Sequence, residues 1–359
     1  MYIDDKKFIE KYHKIVELSS ENSRVLTSPT LQGRVITSST SPEGYSFGWI
    51  NYKLIESGEI LAHCNNFGGE DRFWVGPEGG QFSIFFPKGT DFGFDDWQAP
   101  SVIDNEEWDV KSHSPKSVTY STKTDFINTS GYTLKTLLER TISLNEKNEI
   151  EKLIGIPLND LECVAFTSEN HLTNLGDFEW TEETGMLSIW TLGQFIPSDK
   201  NWVYIPYKEV EAEKINDIYF GKISEDRLTM KDGVLEFKVD GKCRGKIGTP
   251  PAMTIPTAYA LDKENGTLTI VKFNFESPNN KYVNSMWEEQ AEPFKGDVIN
   301  SYNDGPLEDG TVMGGFYEIE TSSPAAALAP TQTITHTSTT IHLKGDIARL
   351  EEIFKSLVK

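Results

Sequence analysis

CVAFTSENHLTNLGDFEWTEETGMLSIWTLGQF, residues 163–195, decides how this chain is read. Apolar runs rich in β-branched and aromatic residues flank a cluster of turn formers, the pattern of strands joined by tight connections. FEWTEETGMLSIWTLGQF has a hairpin signature, with strands carrying Trp180 and Trp190 joined at Glu182–Gly185. The same texture recurs on either side. RVLTS, GRVITSS, YSFGWINYKLI and ILAHCN read as strands before it. WVYIPYK, VLEFKVDGKCRGKIG, TAYALDKENGTLTIVKFNF and QTITHTSTTIHL read as strands and tight turns after it. Residues 116–148 alternate well enough for two or three more strands, with 145–154 open to a helical turn or two.

Longer helices are expected only at the ends. Residues 4–18 place Phe8, Ile9, Tyr12, Ile15 and Val16 on one helical face. Residues 346–358 do the same with Ile347, Leu350, Phe354 and Leu357, behind a capping Asp346. The economical architecture is all-β, a large antiparallel two-sheet sandwich over residues 24–345, in a single domain spanning 1–359. No fixed-period repeat points to a propeller.

Composition bounds the partners. The 359 residues are 37% hydrophobic and 25% charged, with a formal net charge of -21. So acidic a chain argues against nucleic-acid or anionic-membrane partners, which call for basic patches. No apolar run reaches the length of a membrane span, and MYIDDKKFIEKYHKIV has no signal core. Residence in the cytoplasm and export with a removed signal both remain open. Three cysteines, Cys64, Cys163 and Cys243, have no metal-type spacing and are expected as small buried hydrophobes.

One stretch looks chemical: GGEDRFWVGPEGGQFSIFF, residues 68–86. It sets Glu70, Asp71, Arg72, Glu78 and Gln81 among glycines and large rings, Trp74 included. Glycines let the backbone approach a ligand, while aromatics beside acids and an arginine offer a floor and hydrogen-bonding groups to a polar ring. A glycine-rich hairpin with solvated charges is the plain alternative.

Two further segments carry a family resemblance. ENHLTNLG (169–176) resembles the N-H-x-x-x-N-L segment of the galactose mutarotases, or aldose 1-epimerases, with Asn170, His171, Asn174 and Leu175 in the matching places. FYEIETSSPAAALAP (316–330) resembles their late L-E-P-Q…P segment. There Glu318 falls on the family's catalytic glutamate and Glu320 replaces a glutamine. GRVITSS resembles the opening strand of the same fold, and the pieces keep the family's order from about residue 24 to 345. The whole chain is similar to a bacterial mutarotase-like family of unassigned function. The resemblance implies a β-supersandwich with a sugar-sized cleft. The family's first histidine, in an H-G-G segment, has no counterpart: FGGEDRFW offers Glu70 and Asp71 instead.

From the resemblance, Glu318 would be the base that takes the proton from the anomeric hydroxyl. His171 would be the acid that protonates the ring oxygen. Arg72 would grip hydroxyls with its fork of donors, helped by Glu70, Asp71, Glu78, Gln81 and Asp304. Glu318 and Glu320 sit two apart on an expected strand, so both face the same way. Such a pair raises each other's pKa, shares a cation such as calcium, or lies on a solvated sheet edge. No loop has calcium-binding spacing, and no cofactor is expected. His336 and His342, six apart on one strand, are expected to be structural.

Three functions compete. One is an aldose 1-epimerase-type isomerase. Another is a glycan-recognition protein without chemistry, favoured by the missing histidine. The third is a glycan-cleaving hydrolase or lyase using two carboxylates, Glu70 or Glu78 with Glu318, which requires them roughly 5 to 10 Å apart.

Overall fold

A computed structural model describes residues 1–159, 161–210, 214–307 and 310–358. Every strand pair within its three sheets is antiparallel. The largest sheet has ten strands, with Thr257–Asp262, Thr267–Phe273, Thr333–Lys344, Glu162–Asn174 and Thr133–Asn145 at its centre. A five-stranded sheet runs in the order Gly245–Thr249, Ile299–Asn303, Tyr317–Ser322, Ser188–Phe195, Arg72–Gly76. A three-stranded sheet of Val16–Ser19, Arg24–Ser28 and Arg34–Ser39 completes the set. The expected all-β sandwich is therefore the architecture observed.

Strand alternation decides what each face of the five-stranded sheet does. Phe73, Val75, Ile189, Ile299, Tyr317, Ile319 and Ile247 have one parity and enter the cores shared with the ten-stranded sheet. Opposite them stand Leu138, Ile142, Phe166, Leu172, Ala258 and Val271. The other parity carries Arg72, Trp74, Trp190, Gln194, Glu318, Glu320, Tyr302 and Lys246. Side chains two apart on a strand share a face, so one sheet presents an apolar inner face and a polar, aromatic outer one.

The far side of the ten-stranded sheet is covered by helices. Ile347–Leu357 packs Leu350 and Ile353, and Lys147–Ile154 packs Ile150 and Ile154, against Ile270, Ile341 and Leu343. Asp346 caps the former by accepting from Arg349 N at 3.1 Å, as expected. Glu146 and Glu149 form a reciprocal capping box on the latter.

Several local expectations are corrected. The N-terminal helix stops at Ile9, and Val16–Ser19 pairs as a strand. NYKLIES is not strand: Asn51 accepts from Leu54 N and starts the helix Tyr52–Ser57. ILAHCN is irregular. The hairpin expected at Glu182–Gly185 does not form, because Trp180 is fully buried in an irregular segment. Its flanking strands, Glu162–Asn174 and Ser188–Phe195, belong to different sheets, so the connection crosses the sandwich. Tertiary burial of Trp180 outweighs the local turn signal. Cys243 is exposed rather than buried.

Polar groups between the sheets are closely paired. Asp71 accepts from Arg140, and from Ser168 Oγ at 2.8 Å. Glu70 accepts from Ser38 Oγ and from His342 Nε2, each at 2.8 Å. His336 is fully buried, bonds Thr321 Oγ1 at 2.7 Å, and is held neutral by burial, with its pKa lowered to about 3. Gly68 and Gly69 make this packing feasible: both have positive φ, and a Cβ at Gly68 would meet Trp49 O at 2.2 Å.

The Asp71–Arg140 pair gives a stability prediction. Arg140→Ala leaves a buried carboxylate uncompensated and is expected to cost about 3 to 5 kcal/mol. The double variant Asp71→Leu/Arg140→Met is expected to cost markedly less. Urea denaturation at pH 7 measures both.

Candidate functional site

The polar face of the five-stranded sheet is ordered in three rows by register. Gln194, Glu318, Tyr302 and Lys246 stand side by side on four adjacent strands. Arg72 and Glu320 flank Leu192 in the next row. Trp74 and Trp190 oppose each other in the third.

Two ion pairs lie on this face. Arg72 Nη2 donates to Glu318 Oε1, and the Arg72 guanidinium sits 5.1 Å from the Trp74 ring centroid. Lys246 Nζ donates to Glu320 Oε2 at 2.9 Å and lies 5.1 Å from the Trp190 ring centroid. Trp190 Nε1 donates to that same Glu320 oxygen at 2.9 Å. The two indoles meet edge to face, 5.6 Å apart at 81°. Each carboxylate therefore has its own cation and a tryptophan beside that cation. Arg72 pairs with Glu318 and Lys246 with Glu320, so the two acids are met by cations of the chain itself. Among the described residues, no group of three or more His, Cys, Asp and Glu side chains could hold a metal ion.

Burial tunes these acids. It pushes the Glu318 carboxyl up to about 7, with Arg72 opposing and Glu320 adding to the rise. It pushes Glu78 up to about 7 as well, with Lys246 opposing. Asp297, bonded by Tyr219 at 2.6 Å, rises to about 6 for the same reason. Burial works against the Lys246 ammonium, yet Glu320 and Glu78 hold its pKa above the usual lysine value. A group whose pKa lies near neutrality can give or take a proton at neutral pH.

Unused hydrogen-bonding capacity is present on this face, as it is elsewhere in the interior. Arg72 Nε, Trp74 Nε1, Gln194 Oε1 and Glu320 Oε1 are buried, have no hydrogen-bond partner, and belong to side chains of this one face. Buried polar groups are normally paired, so such a set asks for a ligand's donors and acceptors.

The residues singled out from the sequence divide clearly. Arg72, Trp74, Glu318 and Glu320 lie together on this face, and Glu78 interacts with Lys246 and Glu320 at its edge. His171 does not join them. It stands on the outer, half-exposed parity of the Glu162–Asn174 strand, bonded to Thr335 Oγ1 at 2.8 Å and Glu169 Oε1 at 3.1 Å. Its neighbours Asn170 and Leu172 point inward instead. The Glu318–His171 acid–base pair is therefore corrected. Glu70 and Asp71 are held in the interior by the partners described above. Gln81 holds a loop, donating to Gln290 O at 2.9 Å and accepting from Gln290 N at 3.1 Å. Asp304 clamps another, accepting from Gly314 N, Gly315 N and Tyr302 Oη.

Lys246, Trp190, Gln194 and Tyr302 were missed. Trp190 and Gln194 share parity four residues apart in WTLGQ, a signal usable only once that strand is known to pair with Glu318. Lys246, in GKIG, gives no local sign. Two surface depressions, of about 400 and 470 Å³, lie elsewhere, around Tyr207, and contain none of these residues.

The raised Glu78 pKa has a stability consequence. A folded value above the unfolded one contributes stability below pH 4.5 that is lost as pH rises through about 7. Glu78→Gln should therefore gain on the native protein by about 3 kcal/mol between pH 4.5 and pH 8. Thermal unfolding of both proteins across that range measures it; parallel profiles would contradict it.

Solved structures share this fold over nearly the whole chain. The Slr1438 protein from Synechocystis sp. PCC 6803 is 12% identical with a TM-score of 0.57, the match covering 93% of this chain and 96% of that one. A galactose mutarotase related enzyme from Lactobacillus acidophilus is 10% identical with a TM-score of 0.51, covering 92% and 97%. A galactose mutarotase-like protein from Lactobacillus casei ATCC 334 is 8% identical with a TM-score of 0.50, covering 92% and 100%. The fold is thus galactose mutarotase-like. None of the curated proteins matches the chain. A family model does match, over residues 1–359, and its description is that of a family of unknown function, DUF6786. The chain belongs to that family.

Proposed function

We propose that this protein binds a carbohydrate on the outer face of its five-stranded sheet. The observation that carries the reading is the set of unpartnered buried groups on that face, Arg72 Nε, Trp74 Nε1, Gln194 Oε1 and Glu320 Oε1. Two donors and two acceptors between tryptophan rings match the alternating hydroxyls and C–H faces of a sugar. The mutarotase-like fold supports the same class of ligand. Lys246 and Arg72 already have carboxylate partners, which favours a neutral sugar over an anionic one.

A second reading, an aldose 1-epimerase-type isomerase, is favoured by the Glu318 carboxyl near pH 7. Glu318 and Lys246 are two strands apart in one row, a separation of about 10 Å at the backbone. Tyr302 stands between them in that row, so a pyranose reaching both would lie across its ring. Glu318 would take the proton of the anomeric hydroxyl as the ring C–O bond breaks, and the Lys246 ammonium would supply one to the ring oxygen. After rotation, the reverse transfers close the ring. This assigns to Lys246 the role first given to His171.

Calorimetry with galactose and glucose tests the first reading. Saturable binding is expected, weakened at least tenfold in Arg72→Met; no binding, or unchanged affinity in the variant, would contradict it. Polarimetry of freshly dissolved α-galactose tests the second. Rate enhancement over buffer should rise from pH 5 to pH 7 as Glu318 loses its proton, and should vanish in Glu318→Gln.

A further inference from the structure

Beside the charged face, a stack of aromatic rings ends in open solvent. Trp97 is buried and stacks on Trp287 at 5.6 Å and 23°, and on Phe94 at 6.2 Å and 16°. Phe94 is 59% exposed and Trp287 36% exposed. Trp287 packs on Trp97 and Phe86 yet keeps part of its ring in solvent, an exposed apolar surface of the kind that marks binding sites.

The loop that carries Trp287 is held in place. Gln290 Nε2 donates to Asn284 O at 3.0 Å and to Met286 O at 2.7 Å, closing the loop on itself. Gln81 bonds the Gln290 backbone twice, and Glu78 N donates to Ser285 Oγ at 3.3 Å. A Cβ at Gly79 would meet Met286 O at 2.2 Å, so the two segments touch through backbone. Trp287 is therefore presented on a rigid support, which lowers the entropy cost of using it as a contact.

Glu78 joins the shelf to the charged face. Its backbone N–H holds Ser285 of the Trp287 loop, and the rings run on from Trp74 of the charged face to Phe85 at 5.5 Å and from Phe85 to Trp97 at 5.9 Å. A sugar bound over Arg72 and Glu320 would have Glu78 and then an exposed indole next along its path.

We propose that the site takes an oligosaccharide, its first unit on the charged face and a second stacked on Trp287, with Glu78 accepting hydroxyl hydrogens between them. The proposal rests on the carbohydrate reading of the charged face. Gln81 becomes a positioning residue, acting through the Trp287 loop.

Calorimetry on the full chain with glucose, galactose, cellotriose, maltotriose and β-1,4-galactotriose provides the test. At least one trisaccharide is expected to bind ten or more times tighter than its monosaccharide. Trp287→Ala should abolish that advantage and leave monosaccharide affinity unchanged, while Trp287→Phe should retain most of it. Equal affinity for monosaccharide and trisaccharide, or an advantage untouched in Trp287→Ala, would overturn the second subsite while the first stands. No saturable binding of any of the five sugars would overturn both.

Discussion

Glu318 and Glu320 are two carboxylates on one dry sheet face, and the rest of the site depends on how their charge is met. Left alone, two buried like charges that close would force one to take a proton. Here Arg72 from one edge strand and Lys246 from the other reach inward, each to its own acid. The five strands are thereby tied across their width by side chains as well as by the ladder. Burial still holds Glu318 near neutrality, so compensation is partial, and that balance is what a proton-exchanging or hydroxyl-binding group needs.

The sheet's two faces divide the work. On the inner parity, Phe73, Ile189, Ile299 and Ile319 supply the apolar contact that holds the sandwich together. On the outer parity, the same strands present charges, amides and indoles whose geometry is fixed by that packing. A site built on strands keeps its spacing better than one built on loops. Loops contribute only at the rim, where Gln81 and Asp304 pin them.

Much of the fold was legible from alternation and turn chemistry. The long strands, the closing helix and its Asp346 cap follow from local pattern alone. Where tertiary burial outweighs local signal, the sequence misleads: Trp180 disappears into an irregular crossing, and NYKLIES becomes helix behind Asn51. The site was half legible. Glu318, Glu320, Arg72 and Trp74 lie in two stretches that already look chemical. Lys246 and Gln194 reach them only through strand pairing, a nonlocal fact that no short motif encodes. His171 shows the converse, a matching motif on a strand of the other sheet, its side chain on that sheet's outer face.

The central claim is that the outer face of the five-stranded sheet receives the ligand. Indole N–H resonances of ¹⁵N-tryptophan-labelled protein report on it directly, since Trp74 Nε1 has no acceptor and Trp190 Nε1 is bonded to Glu320. Titration with galactose should shift the Trp74 and Trp190 signals saturably and leave Trp108, bonded to Val102 O in the core, unmoved. Saturable shifts confined to other tryptophans, or none at all, would contradict the account.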